Sequence, residues 1–353
     1  MADDAQTSGY VPRRFHRRPR KVVRVILLSA LVLVVTVVGV GGAYASKLQQ
    51  AFASATLVEK TDILPTYEGQ PFKDPGDGSR NILLLGADKS EDGTELDLTA
   101  TGTTQRSDSM MLVHIPQNRK GIYVMSIMRD TYVQIPDGHG RAKINSAMQF
   151  GGVPLLRKTI ESMMDVHIDN VAALDFNSFK GLTKAIGGVT VDNPIDWCTD
   201  SGKEYCFKKG KEQIEGQRAL RWVRERHAFL TGDYQRVKNQ QQFIKQVFKK
   251  LMSSEVMGNP NKIADVAKQV MPFVTMDNEL GDEQVLIGLG MQMTSLRASD
   301  IHSFTLPNAG TGQVGAQSVV LNSPEWDRKL GKAMRGDSME TLYKSLPSEF
   351  KGD

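Results

Sequence analysis

From Val25 to Ser46 the chain carries no charged residue, and this run of Val, Leu, Ile and Ala limits its architecture more than any other segment. A helix needs roughly 20 consecutive apolar residues to cross the hydrocarbon core of a bilayer. Residues 25–46 are therefore expected to form one transmembrane helix, and no second run of that length follows. The segment ahead of it is basic: Arg13, Arg14, Arg17, Arg18, Arg20, Lys21 and Arg24 stand against only Asp3 and Asp4. Positive residues flanking a span stay in the cytoplasm. Residues 1–24 thus read as a cytoplasmic tail and everything after Lys47 as extracytoplasmic. Ala43-Tyr44-Ala45 has the spacing of a signal-peptidase site, but the apolar region of a cleaved signal is only about 7–15 residues long. The longer run here favours an uncleaved signal-anchor. The whole chain has a formal net charge of +4, which the tail's excess more than covers. The body is near neutral, so a nucleic-acid-binding role is not expected and its arginines need a local reason.

The 2 cysteines, Cys198 and Cys206, both fall on the outer side. In an oxidising compartment such a pair closes a small loop as a disulfide; two free thiols are the alternative. Zinc is not expected, because two cysteines without nearby histidines cannot fill a tetrahedral site.

Residues 47–79 contain Pro65, Pro71, Pro75, Gly69, Gly76 and Gly78 and read as a partly helical stalk passing into an irregular linker. From about residue 80 to 345, strand and helix patterns alternate, which argues for one mixed α/β domain. Ile82–Leu85 is a short buried strand. Ser109–Ile115 and Gly121–Met128 form a hairpin around the turn at Pro116–Lys120. Helical spacing covers Leu155 to Met163, and Val171–Phe176 is the next strand. Ser178–Ile186 is a helix ended by Gly187-Gly188, followed by a strand at Val189–Val191. Asp233–Leu251 is the strongest helix. Lys262–Phe273 and Asp282–Leu296 are further helices, and Asp300–Leu306 a closing strand.

Charge collects at particular ends of these elements. The hairpin brings Arg106 and Asp108, which precede its first strand, beside Arg129 and Asp130, which follow its second. If the Ile82 strand runs parallel to the second hairpin strand, Asp88 reaches the same end. Ligands of α/β sheets bind outside strand ends. On the helix from Asp233, Arg236 and Gln240 continue the apolar stripe of Ile244, Val247, Phe248 and Leu251, while Lys238 and Lys245 face away. A buried arginine demands an internal acid or a bound anion. Arg224 and Arg226 share a face if their backbone is extended. Several guanidinium groups grip a pyrophosphate, and two carboxylates beside them make sense with a divalent cation bridging carboxylate to phosphate. No Gly-rich phosphate loop, nucleophile elbow or H-E-x-x-H helix is present.

Taken in order, Asn81-Ile-Leu-Leu-Leu-Gly-Ala-Asp88, Arg106-Ser-Asp108, Ser126-Ile-Met-Arg-Asp130, Lys143-Ile-Asn145, Gly187-Gly188-Val189, Ala219-Leu-Arg-Trp-Val-Arg224-Glu-Arg226 and Asp233-Tyr-Gln-Arg236 resemble the LytR-CpsA-Psr family. The resemblance implies an αβα sandwich with a central mixed β-sheet and a pocket for a polyprenyl chain. It implies transfer of a phospho-glycopolymer from polyprenyl pyrophosphate to peptidoglycan, at the 6-hydroxyl of N-acetylmuramic acid. By position, Asp88 and Asp108 match the aspartates associated with Mg2+ (or Mn2+). Arg106, Arg129, Lys143, Arg224, Arg226, Arg236 and Gln240 match residues that hold the pyrophosphate, with Arg106, Asp108, Arg129 and Asp130 as the catalytic candidates. The family usually has Pro where Met128 stands, Gly for Gln235 and Arg for Asn239. Met128 is expected only to loosen a turn, and Asn239 removes one positive charge. The segment 89–105 reads as a solvated insertion or a flap over the site. Two other functions fit the same residues: a polyprenyl-pyrophosphate pyrophosphohydrolase, and a non-catalytic membrane-tethered binder of anionic wall polymer. Paired metal-type aspartates speak against the binder, which gains nothing from them.

Overall fold

The computed structural model describes residues 54–87, 98, 107–199, 204–251, 253 and 260–352, with the side chains of 107, 108, 260–264 and 283 excepted. The basic tail, the apolar span 25–46 and the first residues of the stalk lie outside them. Among the described residues no helix is long and apolar enough to cross a membrane.

The strands in chain order are β1 (Thr56–Val58), β2 (Arg80–Ala87), β3 (Ser107–Ile115), β4 (Ile122–Ile127), β5 (Thr131–Ile135), β6 (Gly140–Lys143), β7 (Asn170–Asp175), β8 (Val189–Asn193), β9 (Trp197–Cys198), β10 (Cys206–Phe207), β11 (Gly210–Ile214), β12 (Thr275–Asp277), β13 (Ile301–Thr305), β14 (Asn308–Val314) and β15 (Gln317–Asn322). The helices longer than four residues are α1 (Asn145–Met164), α2 (Phe176–Ala185), α3 (Gly216–Arg224), α4 (Asp233–Leu251), α5 (Pro260–Val270), α6 (Glu283–Gln292), α7 (Pro324–Arg335) and α8 (Met339–Ser345).

A seven-stranded sheet runs in the order β1-β12-β7-β2-β3-β4-β13. It is mixed: β2 pairs antiparallel with β3 and β3 with β4, whereas β2 is parallel to β7 and β4 to β13. β4 is buried along its whole length, as a central strand covered on both faces must be. Alternation sorts its side chains. Tyr123, Met125 and Ile127 join Leu83, Leu85, Leu112 and the apolar side of α1 in one core layer. Ile122 and Val124 join Ile82, Met111 and Val113 in the other, against Ile244 and Phe248 of α4 and Val285 and Leu286 of α6. The result is helices on both faces of a mixed sheet, as expected.

A smaller sheet, β14-β15-β5-β6, continues from the main one because β4 passes through Arg129 and Asp130 directly into β5. α1 bends at Gly151 and Gly152, where Gly152 takes φ +63°. The residues read as stalk and linker are woven into the domain. Thr56–Val58 pairs with β12, Ile63 is fully buried, and the Tyr67 hydroxyl donates to Glu161 at 2.8 Å. Beyond residue 345 the chain still packs: Lys351 bridges Phe304, and the Gly352 N–H donates to the Ser303 carbonyl at 2.9 Å. Cys198 and Cys206 are disulfide-bonded across the register of β9 and β10, with Trp197 and Phe207 stacked at 4.2 Å beside them.

Candidate active site

Because β2 and β4 both run antiparallel to β3, and β7 and β13 run with them, four carboxyl ends open on one edge of the sheet. Ala87 of β2 pairs there with Ser107 of β3. Asp88, Arg106 and the side chain of Asp108 lie outside the described residues, as does the segment 89–105 apart from Leu98. Leu98 is buried in the core layer of Leu83 and Leu85, so the segment is not wholly a solvated insertion.

Arg129 and Asp130 emerge at this edge. β6 pairs with β5 so that Lys143 faces Tyr132, and this register carries the Lys143 Nζ to 2.8 Å from Asp130 Oδ1. Asp130 Oδ2 is 3.5 Å from Arg129 Nε. The same nitrogen is 3.6 Å from Asp233 Oδ2, on the first residue of α4. Asp233 also meets Arg236 Nη2 at 3.1 Å and Arg226 Nη1 at 3.8 Å. Three arginines therefore converge on one carboxylate. Arg236 is buried, which answers the demand for an internal acid: Asp233 supplies it. Among the described residues four cations surround two carboxylates, so this part of the site retains positive charge and suits an anionic ligand.

Arg224 and Arg226 do not lie on one extended face. Arg224 is the last residue of α3, in helical conformation, and Glu225 after it is extended. The Glu225 side chain is buried and accepts from the N–H groups of Arg226, His227 and Ala228 at 2.6 to 3.0 Å. That turn parts the two arginines. Arg226 goes to Asp233, while the Arg224 guanidinium lies 4.0 Å from the ring centre of Phe176.

Phe176 and Arg224 belong to a second feature, an apolar slot of about 130 Å³ between the sheet and α2, α3 and α4. Leu84, Met111, Phe179, Leu220, Val223, Phe243 and Ile244 form most of its wall. Gln240 reaches into it, accepting from Ser109 Oγ at 3.1 Å and donating to the Val223 carbonyl at 3.3 Å. Asp175, at the end of β7, caps α2 through the Ser178 N–H at 2.6 Å and so sets Phe176 at the slot.

The departures from the family pattern have specific places. Met128 does not merely loosen a turn: it is buried with Val237 and Val320 between α4 and β15. Asn239 is buried and holds α4 to α3, donating to the Trp222 carbonyl at 3.4 Å and accepting from Gln235 Nε2 at 3.0 Å. Asp233 was not read as a site residue from sequence; its place one turn before Arg236 was the available signal. Among the described residues no group of three or more His, Cys, Asp or Glu side chains is arranged to hold a metal. Asp130 and Asp233 are both turned toward cations.

The sequence profile of the LytR_cpsA_psr family matches residues 42–334, and the chain belongs to that family. It is 28% identical over 296 residues to the polyisoprenyl-teichoic acid–peptidoglycan teichoic acid transferase TagV of Bacillus subtilis, covering 79% of this chain and 71% of that protein. The corresponding transferase TagU of Enterococcus faecalis is 27% identical over 69% of this chain and 76% of its own length. The crystal structure of B. subtilis TagV superposes with a TM-score of 0.62 at 24% identity, over 74% of this chain and 97% of that one. TagT bound to LIIa-WTA gives 0.57 at 26% identity, over 77% and 97%.

Proposed function

We propose that this chain is a membrane-anchored, extracytoplasmic phosphotransferase that moves a glycopolymer from a polyprenyl-pyrophosphate carrier onto peptidoglycan, at the 6-hydroxyl of N-acetylmuramic acid. One observation carries the reading. Arg236 and Gln240 stand one turn apart on α4, about 6 Å along the helix axis, so the cationic cluster and the apolar slot adjoin on a single element. A ligand that satisfies both is an amphiphile with an anionic head and an apolar tail, which describes a polyprenyl pyrophosphate. The names of TagV and TagU, and the WTA ligand of TagT, support the same substrate class.

In the proposed reaction the acceptor hydroxyl oxygen attacks the phosphorus that bears the glycan. The bond to the bridging oxygen of the pyrophosphate breaks and polyprenyl phosphate leaves. Arg129, Arg226 and Arg236 hold the phosphate oxygens and neutralise the charge that develops on the leaving group, the dominant contribution in phosphoryl transfer. Arg224 and Gln240 hold the first part of the lipid at the slot, with Arg106 as a further phosphate ligand. Asp108 and Asp130 are the candidates to take the hydroxyl proton. Mg2+ (or Mn2+) on Asp88 and Asp108 belongs to the proposal and would supply further charge neutralisation at the phosphate. The pairing of their sequence neighbours Ala87 and Ser107 supports it, as does the engagement of Asp130 and Asp233 with cations. The span 25–46 supplies the anchor.

The test is transfer from a synthetic polyprenyl-pyrophosphoryl glycan to a peptidoglycan acceptor, with and without EDTA. Arg129→Ala is expected to lower turnover by about 100-fold or more, and Asp108→Ala to lower it and weaken the dependence on divalent metal. Full, EDTA-sensitive activity in Asp108→Ala overturns the metal assignment. Release of free glycosyl phosphate without transfer supports the hydrolase. Tight donor binding with no turnover under any metal or acceptor condition makes the chain a binder of wall polymer.

A further inference from the structure

Beside Asp130, a polar cavity of about 390 Å³ opens between the start of α1, the end of β6 and the start of β15. Arg129, Asp130 and Lys143 form one wall, and Asn145, Ser146, Gln149 and Gln317 form the rest. These four side chains make no hydrogen bond to the described protein, although each has donors and acceptors to offer. The amides of α4 are different. Gln235 donates to Asn239, Gln240 to Val223, Gln241 to Ser126 and Thr305, and Gln242 to Asp192. Amides near the cationic cluster are thus spent internally on one side and left open into a cavity on the other.

Phe150 stands one turn beyond Ser146 on α1, 42% exposed, with its ring stacked on His139 at 4.8 Å and 8°. Its ring is not part of the cavity wall, so the neutral polar groups of Asn145, Ser146, Gln149 and Gln317 define the cavity's chemistry beside the charged wall. The contacts run from Arg236 through Asp233, Arg129 and Asp130 to Lys143, and Arg129, Asp130 and Lys143 line the cavity. The cavity therefore adjoins the cationic cluster, whose Arg236 stands one turn from Gln240 at the slot.

We infer that this cavity is a saccharide subsite, in which Asn145, Ser146, Gln149 and Gln317 hydrogen-bond the hydroxyl and acetamido groups of a hexosamine next to the pyrophosphate. The inference rests on the transferase reading for its setting. Two sugars have this chemistry: the acceptor on peptidoglycan and the sugar already carried by the donor. Neutral amides suit either, because they bind polyols without competing for the phosphate.

The experiment uses full-length protein in detergent and the double variant Gln149→Ala/Gln317→Ala. Neither side chain supports the fold through a hydrogen bond, so an unchanged melting temperature is expected. In the transfer assay, a KM raised about tenfold with kcat nearly unchanged is expected, the loss of one or two ligand hydrogen bonds. A rise for the acceptor places the acceptor sugar in the cavity; a rise for the donor places the donor's own sugar there. Independently of turnover, saturation-transfer NMR with a soluble N-acetylglucosaminyl-N-acetylmuramic acid disaccharide should show contact in the wild type that the variant loses. Wild-type transfer with both KM values unchanged in the variant, and equal disaccharide signals in the two proteins, overturns the subsite while leaving the transferase intact. Wild-type protein that never transfers counts against the transferase, and the NMR comparison then decides the subsite alone: loss of signal in the variant supports it, and equal or absent signals overturn it.

Discussion

Arg129 Nε lies 3.6 Å from Asp233 Oδ2, so one ion pair ties the end of β4 to the first turn of α4. The consequence is that three arginines from three separate segments share a counter-ion and are held around it. In Asp233→Asn, Arg129, Arg226 and Arg236 lose that counter-ion and repel one another. Transfer is expected to fall by about 10- to 100-fold, the effect of losing charge-assisted pairs, and the melting temperature to fall as well, because buried Arg236 loses its acid. Lys238→Ala, on the exposed side of α4, is the control and should keep wild-type turnover. Steady-state kinetics with thermal unfolding checks both; wild-type turnover in Asp233→Asn would show that the arginines need no shared acid.

Gln241 is fully buried, and its Nε2 donates to Ser126 Oγ at 3.0 Å and Thr305 Oγ1 at 3.1 Å. It fastens α4 to β4 and β13 at their carboxyl ends. Gln241→Leu strands two buried hydroxyls and is expected to cost about 1–3 kcal/mol. Urea unfolding measures it, and an unchanged midpoint would place the fastening elsewhere.

Asp327 is buried near the start of α7, accepts from Asn322 Nδ2 at 2.6 Å, and burial pushes its pKa up to about 6. The folded state therefore keeps a proton that the unfolded chain releases near pH 3.9. Its contribution is complete below that value and is lost as pH rises through about 6. Asp327→Asn should stabilise the protein by about 1–3 kcal/mol at pH 7 and by little at pH 3.5. His114, buried with a pKa pushed down to about 4, acts in the opposite sense and favours the fold as pH rises from about 4 to 6.5. Comparing the pH profiles of the wild type and Asp327→Asn isolates the carboxyl; a gain of equal size at both pH values would refute the titration.

The Cys198–Cys206 thiols should resist alkylation until a reductant is added. Replacing both by serine is expected to lower stability by about 2–3 kcal/mol, the entropy of closing a short loop. Transfer should survive, because the ribbon of β9 and β10 contributes no residue to the cluster around Asp233. Rapid labelling without reductant would contradict the pairing.

What the sequence disclosed follows from where physical constraints are strong. The boundaries of α4 were legible because its apolar stripe and acidic first residue coincide. The convergence of Arg129 and Asp130 on one sheet edge was legible because a hairpin has a single geometry. β5, β6, β14 and β15 were not: neither β6 nor β14 has a buried position, so neither carries the alternating large apolar side chains that mark a half-buried strand. β1 spans three residues in a Pro- and Gly-punctuated region, and its pairing depends on β12, far along the chain. Asp233 was hidden because an acid in a helix's first turn is ordinary; only the folded chain shows three arginines around it. Gln241 borders the apolar stripe, three residues before Ile244 and seven before Phe248, but a polar residue there gives no sign of burial until the packing of α4 is known.

The outermost strand of the large sheet, β13, is bridged at Phe304 by Lys351, and Gly352 adds a hydrogen bond to Ser303. At the other edge β1 is only three residues long. Unpaired strand edges are where folded domains recruit one another into runaway assemblies. Here one border is covered in part by Lys351 and Gly352, and the other is too brief to serve as a template. Copies crowded together thus have little means of knitting their sheets into a common polymer, and a shortening that removes Lys351 and Gly352 would open that route.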